Sequence, residues 1–284
     1  MIKYYDREIS QIEEETEYGK KALKFLYHTA LGRFCLKAFA ARPFFSRLQS
    51  VWKKSRFSVR EIKPFTQKYN IRISDEEIRQ FKSFNDFFIR PHPPIPYKNE
   101  NELTAPADSK MSFFKITDDL KINVKNSQYT VSELLGSSEI AKNFRNGTCI
   151  IYRLSADYNH HYYYIDDGKL LYKRKIQGEL HTIRPISEIC NVFSRNSREV
   201  SLQDTAHLGI IAQIEVGALL VGKIQNYDKS QFVKNEEKGF FEFGGSTIII
   251  LLNKEIQFDE DIEKMNLAGY ETKVSAGERV GTIC

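Results

Sequence analysis

The pattern of apolar and polar positions changes character about a third of the way along the chain. Before Arg90, apolar residues recur at helical spacing: Leu23, Leu26, Tyr27, Leu31, Phe34, Cys35, Ala38 and Phe39 mark one face of an amphipathic helix. Ser74 with Glu77 forms a capping-box pattern ahead of a helix over "DEEIRQF". Residues 1 to about 90 are therefore expected to be mostly helical. The stretch "RPHPPIPYKN" carries four prolines, which rule out continuous helix and mark the main break. Beyond it the apolar runs are short and rich in β-branched and aromatic residues: "KMSFFKI", "KINVK", "TCIIYRL", "HHYYYID", "KLLYKRKI", "VFSRNSREVSL", "GIIAQIEVGALLVGKIQ" and "TIIILL". Turn pairs separate many of them, and only "VSELLG" and "EIAKNF" suggest helices. The expected fold is α+β: a helical N-terminal region over about 1–80, then a β-rich domain over 81–284, of barrel or sandwich type.

Composition and charge sharpen this picture. In 284 residues the hydrophobic share is 41%, somewhat low, but 20 Phe and 15 Tyr supply large groups to bury. No run approaches the ~18–20 apolar residues that span a bilayer, and no secretory signal pattern is present. Cys35, Cys149, Cys190 and Cys284 form no CxxC pair, so reduced structural cysteines are expected and a zinc site is not. The net charge of +5 is unevenly spread. Between Tyr18 and Arg60 there are eleven Lys and Arg and no Asp or Glu. With Phe44, Phe45, Trp52 and Phe57 interleaved, this stretch suits an anionic membrane surface, or else forms the solvated face of a docked helical bundle. No RNP-like or helix-turn-helix pattern supports nucleic acid.

The most informative local pattern is "EFGGSTIIILL", Glu242 to Leu252. Glycines at 244 and 245 free the backbone for positive-φ geometry and let the Ser246 hydroxyl approach the preceding carbonyl carbon. That permits an N-to-O acyl shift at Gly245–Ser246. Elimination and hydrolysis would then convert Ser246 into an N-terminal pyruvoyl group. Taken alone, Gly-Gly-Ser is equally a plain turn into a buried strand.

The wider window, "KNEEKGFFEFGGSTIIILL", resembles the processing-site signature of the phosphatidylserine decarboxylase family, with Asn235 where a glycine is usual. Other segments resemble the family's motifs in the same order: "FNDFFIR" (Phe84 to Arg90), "APADSK" with Asp108 and with Ser109 replacing a glycine, "RLSADYNHHYYYIDDG", "GELHTIRPI" and "VGALLVGKI". The resemblance spans about residues 81 to 284. It implies a proenzyme that cleaves itself into chains 1–245 and 246–284, which stay together as a heterodimer, with further dimerisation left open. It implies a covalent pyruvoyl cofactor from Ser246 that condenses with the amine of phosphatidylserine and releases carbon dioxide, leaving phosphatidylethanolamine. No metal is required. A peripheral location on the cytoplasmic side of the cell membrane follows from the same resemblance together with the basic stretch.

The expected catalytic set is Asp108, His160 and Ser246, with Gly245–Ser246 as the cleavage site. Self-cleavage needs a base for the Ser246 proton, and a carboxylate can orient it. With the motif's flanks aligned, His160 falls on its first histidine, His161 on its arginine and Tyr163 on its second histidine, the usual processing base. His160 is favoured, with His161 and Tyr163 as secondary candidates. Strand alternation puts His160 and His161 on opposite faces, so at most one faces the site. His181 is a further secondary candidate, with a purely structural role as the alternative, and His28, His92 and His207 carry no motif. Two alternatives stay open: a non-processing lipid-binding relative, motivated by Tyr163 and Ser109, and a pyruvoyl decarboxylase of a soluble amino acid.

Overall fold

The computed structural model describes residues 2–15, 25–35, 49–91, 93, 95, 99–124, 127–182, 192–218, 223–227, 229–244 and 246–283. Gly245, most of the basic stretch between 16 and 48, His92, Cys190 and Cys284 lie outside the described residues, as do parts of "GELHTIRPI" and "VGALLVGKI". The chain opens with β1 (Lys3–Asp6) and β2 (Gln11–Glu14). After the helical part come β3 (Glu102–Thr104), β4 (Ser109–Lys115), β5 (Lys121–Val124), β6 (Ser127–Thr130) and β7 (Thr148–Leu154). Then follow β8 (His161–Tyr163), β9 (Gly168–Ile176), β10 (Arg198–Thr205), β11 (Gly209–Gly217), β12 (Ile224–Asn226), β13 (Gln231–Phe232) and β14 (Glu237–Phe241). Last come β15 (Ser246–Leu252), β16 (Gln257–Phe258), β17 (Glu271–Val274) and β18 (Arg279–Thr282).

Ten of these strands form one sheet in the order β13-β9-β10-β11-β15-β7-β4-β17-β1-β2. Its edges are β13 and β2, so the sheet is open and the expected barrel closure is not present. The apolar run Ile248 to Leu252 has a simple cause: β15 lies mid-sheet between β11 and β7 and every residue of it is buried. β9, nearer an edge, is polar and largely exposed in its middle. Smaller sheets, β12-β14-β8 and β16-β18-β3, and the β5–β6 hairpin complete the β part. The fold is α+β, built around this large sheet.

Two sequence expectations need correction. The first residues are a β-hairpin, and β1 pairs in parallel with β17. Glu15, just after this hairpin, is a buried partner of the sheet. Its carboxylate meets Arg153 Nη2 at 2.6 Å and Lys110 Nζ at 3.2 Å, while Arg153 also pairs with Glu271. Burial opposes the Glu15 charge, but Arg153 and Lys110 hold its pKa well below the carboxylate range. Secondly, "VFSR" forms a helical turn, Val192–Arg195, and the strand begins only at Arg198.

The helical expectations that fall within the described residues mostly hold. Ser74 caps the Asp75–Gln80 helix in a reciprocal capping box with Glu77, and "VSELL" is a helix capped by Thr130. The Phe84–Phe88 helix packs Phe84, Phe87 and Phe88 with Ile62, Phe65 and Phe243 into a second apolar cluster, separate from the sheet's core. Phe243 is the member that joins this helical cluster to the Gly-Gly-Ser segment.

Candidate active site

Ser246 is the first residue of β15, opposite Gly217 on one side and Leu154 on the other. Its side chain is fully buried, and its Oγ has no hydrogen-bond partner among the described residues. A buried unpaired hydroxyl costs roughly 1–3 kcal/mol, so its persistence here invites a chemical explanation. Gly244, two residues earlier, has φ 141°, a conformation L side chains rarely adopt. The first glycine of the pair is therefore required by the backbone path.

His160 is brought to this turn by the pairing of β14 with β8: the Phe241 amide donates to the His160 carbonyl at 3.0 Å. The imidazole is fully buried, with its ring 4.3 Å from that of Phe88. Its Nδ1 lies 3.0 Å from the Tyr158 carbonyl oxygen. A carbonyl can only accept, so Nδ1 carries the proton and Nε2 bears the lone pair. That Nε2 is buried and makes no well-formed hydrogen bond among the described residues, although the Gly244 carbonyl lies against the ring. Burial pushes the His160 pKa down to about 3. The Tyr158 carbonyl opposes this, Arg90 adds to it, and Asp108 and the Gly244 carbonyl favour the protonated form. At neutral pH the ring is thus neutral; the Asp108 charge and the Gly244 carbonyl, as a hydrogen-bond acceptor, are what favour its protonation.

Asp108 immediately precedes β4, and its Oδ1 accepts the Ala276 amide at 2.9 Å. Its charge bears on Arg90, His160 and Tyr163. The Tyr158 carbonyl holds the Nδ1 of His160, and the Asp108 charge favours the protonated ring.

The secondary candidates are placed differently. His161 has both ring nitrogens occupied, Nδ1 by Glu237 at 2.6 Å and Nε2 by the Ile89 carbonyl at 3.0 Å. It faces away from the task expected of a base. Tyr163 is buried, its amide donates to the Pro106 carbonyl, and burial with Glu237 and Asp108 raises its phenol pKa. That hydroxyl stays protonated and is a donor. His181 is held by Glu179 at 2.8 Å and by Tyr27, in line with a structural part.

Several neighbours escaped the sequence reading. Arg90 ends the "FNDFFIR" segment over the Phe87 ring, 4.8 Å from its centroid, where its charge meets Asp108. Asn85 in the same helix accepts the Phe243 amide at 3.3 Å, and Asn159 bridges the Arg90 carbonyl and the His161 amide. The signal available was the motif itself. The helix and the strand segment around His160 resemble the family's motifs because they are wrapped around one turn.

Comparison with known proteins agrees with this arrangement. Residues 83–282 match the family described as phosphatidylserine decarboxylase. A "phosphatidylserine decarboxylase proenzyme 2" of Clostridium acetobutylicum is 45% identical over 285 residues, covering 99% of this chain and 98% of the relative. A "phosphatidylserine decarboxylase proenzyme" of Clostridium tetani is 38% identical over 292 residues, with 99% and 98% covered. That of Clostridium kluyveri is 37% identical, with 99% of both chains covered. With the Phe84–Arg90 segment, Asp108 and His160 brought near Gly244 and Ser246 and these relatives matching end to end, the chain belongs to the phosphatidylserine decarboxylase family.

Proposed function

We propose that this protein is a self-processing decarboxylase of phosphatidylserine whose cofactor is made from Ser246. The observation that carries the reading is the buried Ser246 Oγ, unpartnered among the described residues, with the buried neutral imidazole of His160 against the preceding Gly244. Ser246 loses its proton to His160 Nε2 as Oγ bonds to the Gly245 carbonyl carbon. The C–N bond then breaks, and the proton passes to the freed amine. The ester eliminates: the Ser246 Cα proton is removed and the Gly245 carboxylate leaves, giving dehydroalanine at the new N-terminus. Tautomerisation and addition of water release ammonia and leave the pyruvoyl group. The products are chains 1–245 and 246–284, held together by β15 between β11 and β7.

The residues present fit such a group: its site is the start of a buried strand, walled by Phe88 and Phe243 and next to a neutral imidazole. When formed, the pyruvoyl ketone supplies an electron sink for loss of carbon dioxide from the serine headgroup. Around it, His160 Nε2 carries the proton that replaces the carboxyl group. Asp108 stabilises that proton electrostatically, and the Phe88–Phe243 wall excludes water. Residues 81–284 carry this chemistry. Residues 1–80 hold the protein peripherally on the cytoplasmic side of the cell membrane. The exposed Leu31, Phe34, Val51, Trp52 and Phe57 among Arg33, Arg56 and Arg60 support that assignment. No helix among the described residues is long and apolar enough to cross a membrane.

Intact mass under denaturing conditions tests the reading. Two chains are expected, the smaller lighter than a Ser246-initiated fragment by ammonia, and Ser246→Ala should remain one full-length chain. A wild-type chain that stays intact overturns self-processing and leaves the lipid-binding alternative that Tyr163 motivates. Turnover of phosphatidylserine vesicles against free serine separates the lipid enzyme from a soluble amino acid decarboxylase.

A further inference from the structure

The two residues ahead of the Gly-Gly pair are gripped by a helical segment far from them in sequence. Lys54 Nζ meets Glu242 Oε1 at 2.9 Å, and Ser50 Oγ donates to Glu242 Oε2 at 3.3 Å. Next to it, Lys53 is 3% exposed, with its Nζ 4.1 Å from the centroid of Phe84 and 4.4 Å from that of Phe243. Glu61 accepts from the same Lys53 Nζ at 2.5 Å and from Trp52 Nε1 at 2.8 Å, which fixes the segment in turn. The main chain is held as well: the Glu242 amide donates to the Lys223 carbonyl at 2.9 Å and the Phe243 amide to Asn85 Oδ1 at 3.3 Å. On the other side of the glycines, Ser246 is locked into register between β11 and β7. Between these fixed residues Gly244 has φ 141°, a conformation open to glycine and rarely to other residues.

We propose that Lys53 and Lys54 are positioning residues for self-cleavage, holding Phe243 and Glu242 so that the glycine pair presents its carbonyl to Ser246 Oγ. This rests on the self-processing reading above. Neither lysine touches the reacting atoms; each acts through the residue it grips. Misplacement of a reacting group by about 1 Å costs on the order of a hundredfold in rate. Partial loosening of one grip is therefore expected to slow cleavage about tenfold or more. The Lys54–Glu242 pair is half-exposed on the lysine side and buried on the carboxylate side, where Ser50 and Gln225 also meet Glu242 and limit the cost of losing Lys54. A merely structural pair would change the cleavage rate only as far as it changes Tm.

The test measures the first-order conversion of freshly translated full-length protein into its two fragments, alongside Tm of each variant in a Ser246→Ala background. Lys54→Ala and Glu242→Gln are expected to slow conversion about tenfold, with Tm close to that of the parent. The double variant should be no slower than the slower single one. Lys54→Arg should recover most of the rate, as should the exchange Lys54→Glu with Glu242→Lys. Lys53→Met, which keeps the stem and removes the charge over the rings, should slow conversion too. The Lys54–Glu242 variants carry the test if Lys53→Met fails to fold. Wild-type rates in Lys54→Ala and Glu242→Gln overturn the proposal, as does slowing that merely tracks Tm and is not recovered by Lys54→Arg or the exchange. If the wild-type chain itself stays intact like Ser246→Ala, self-processing fails first, and the clamp falls with it.

Discussion

Replacing His160 by phenylalanine in a Ser246→Ala background, where the chain stays in one piece, should change how stability depends on pH. The native imidazole is pushed down to about 3 by burial, whereas an unfolded histidine titrates near 6.5. Between those values the unfolded chain binds a proton that the native chain refuses, so stability rises with pH across this window. Its contribution is fully present above about 6.5 and is lost progressively as pH falls towards 3. At pH 5 the loss from this one ring is about 2 kcal/mol, and at pH 4 about 3 kcal/mol. His160→Phe keeps an aromatic ring against Phe88 but leaves the Tyr158 carbonyl without its donor, which costs roughly 1–3 kcal/mol at any pH. Urea unfolding at pH 7.5 and pH 5 separates the two effects. The variant should be the less stable protein at pH 7.5, and the gap should close by about 2 kcal/mol at pH 5. An unchanged gap would mean that the native ring titrates normally. The buried neutral base would then be wrong.

Other consequences can be checked in the same preparations. Gly244→Ala places a side chain at φ 141°, so it should destabilise by about 1–3 kcal/mol and slow self-cleavage, read by urea unfolding and by fragment formation. Phe87→Ala removes a fully buried ring from the helical cluster and should cost about 3–5 kcal/mol in the same unfolding assay. Glu15→Gln strips one carboxylate from Arg153 and Lys110 while leaving Glu271, and a loss on the order of 3 kcal/mol is expected. Tyr163→Phe should still yield two fragments by mass, because the phenol is held protonated and cannot serve as the base.

The run Ile248 to Leu252 was legible as a buried strand, since five consecutive aliphatic residues after a Gly-Gly turn have to be covered; that it lies mid-sheet came from its pairing with β11 and β7. The Ser74–Glu77 capping box was equally legible, because its partners are three residues apart and the interaction is local. Gly-Gly-Ser, with the motifs resembling one family, pointed to Ser246, His160 and Asp108 for the same reason: spacing along the chain carries that information. What spacing cannot carry is a contact between distant segments. The hairpin of β1 and β2 became part of the sheet because β17, more than 250 residues later, offered it an edge, and Glu15 became a core residue because Arg153 and Lys110 needed a counter-charge there. Which histidine keeps an open nitrogen was decided by one local carbonyl at His160 and by a distant carbonyl and carboxylate at His161. Tyr158 takes the Nδ1 of His160, while Ile89 and Glu237 take both nitrogens of His161. Likewise, nothing in the sequence around Glu242 announces Lys54, because a salt link across 188 positions exists only once the helical segment has docked. Local chemistry is written in neighbouring residues; the orientation of a buried base and the grip on its substrate peptide depend on packing between parts of the chain that meet only in the folded state.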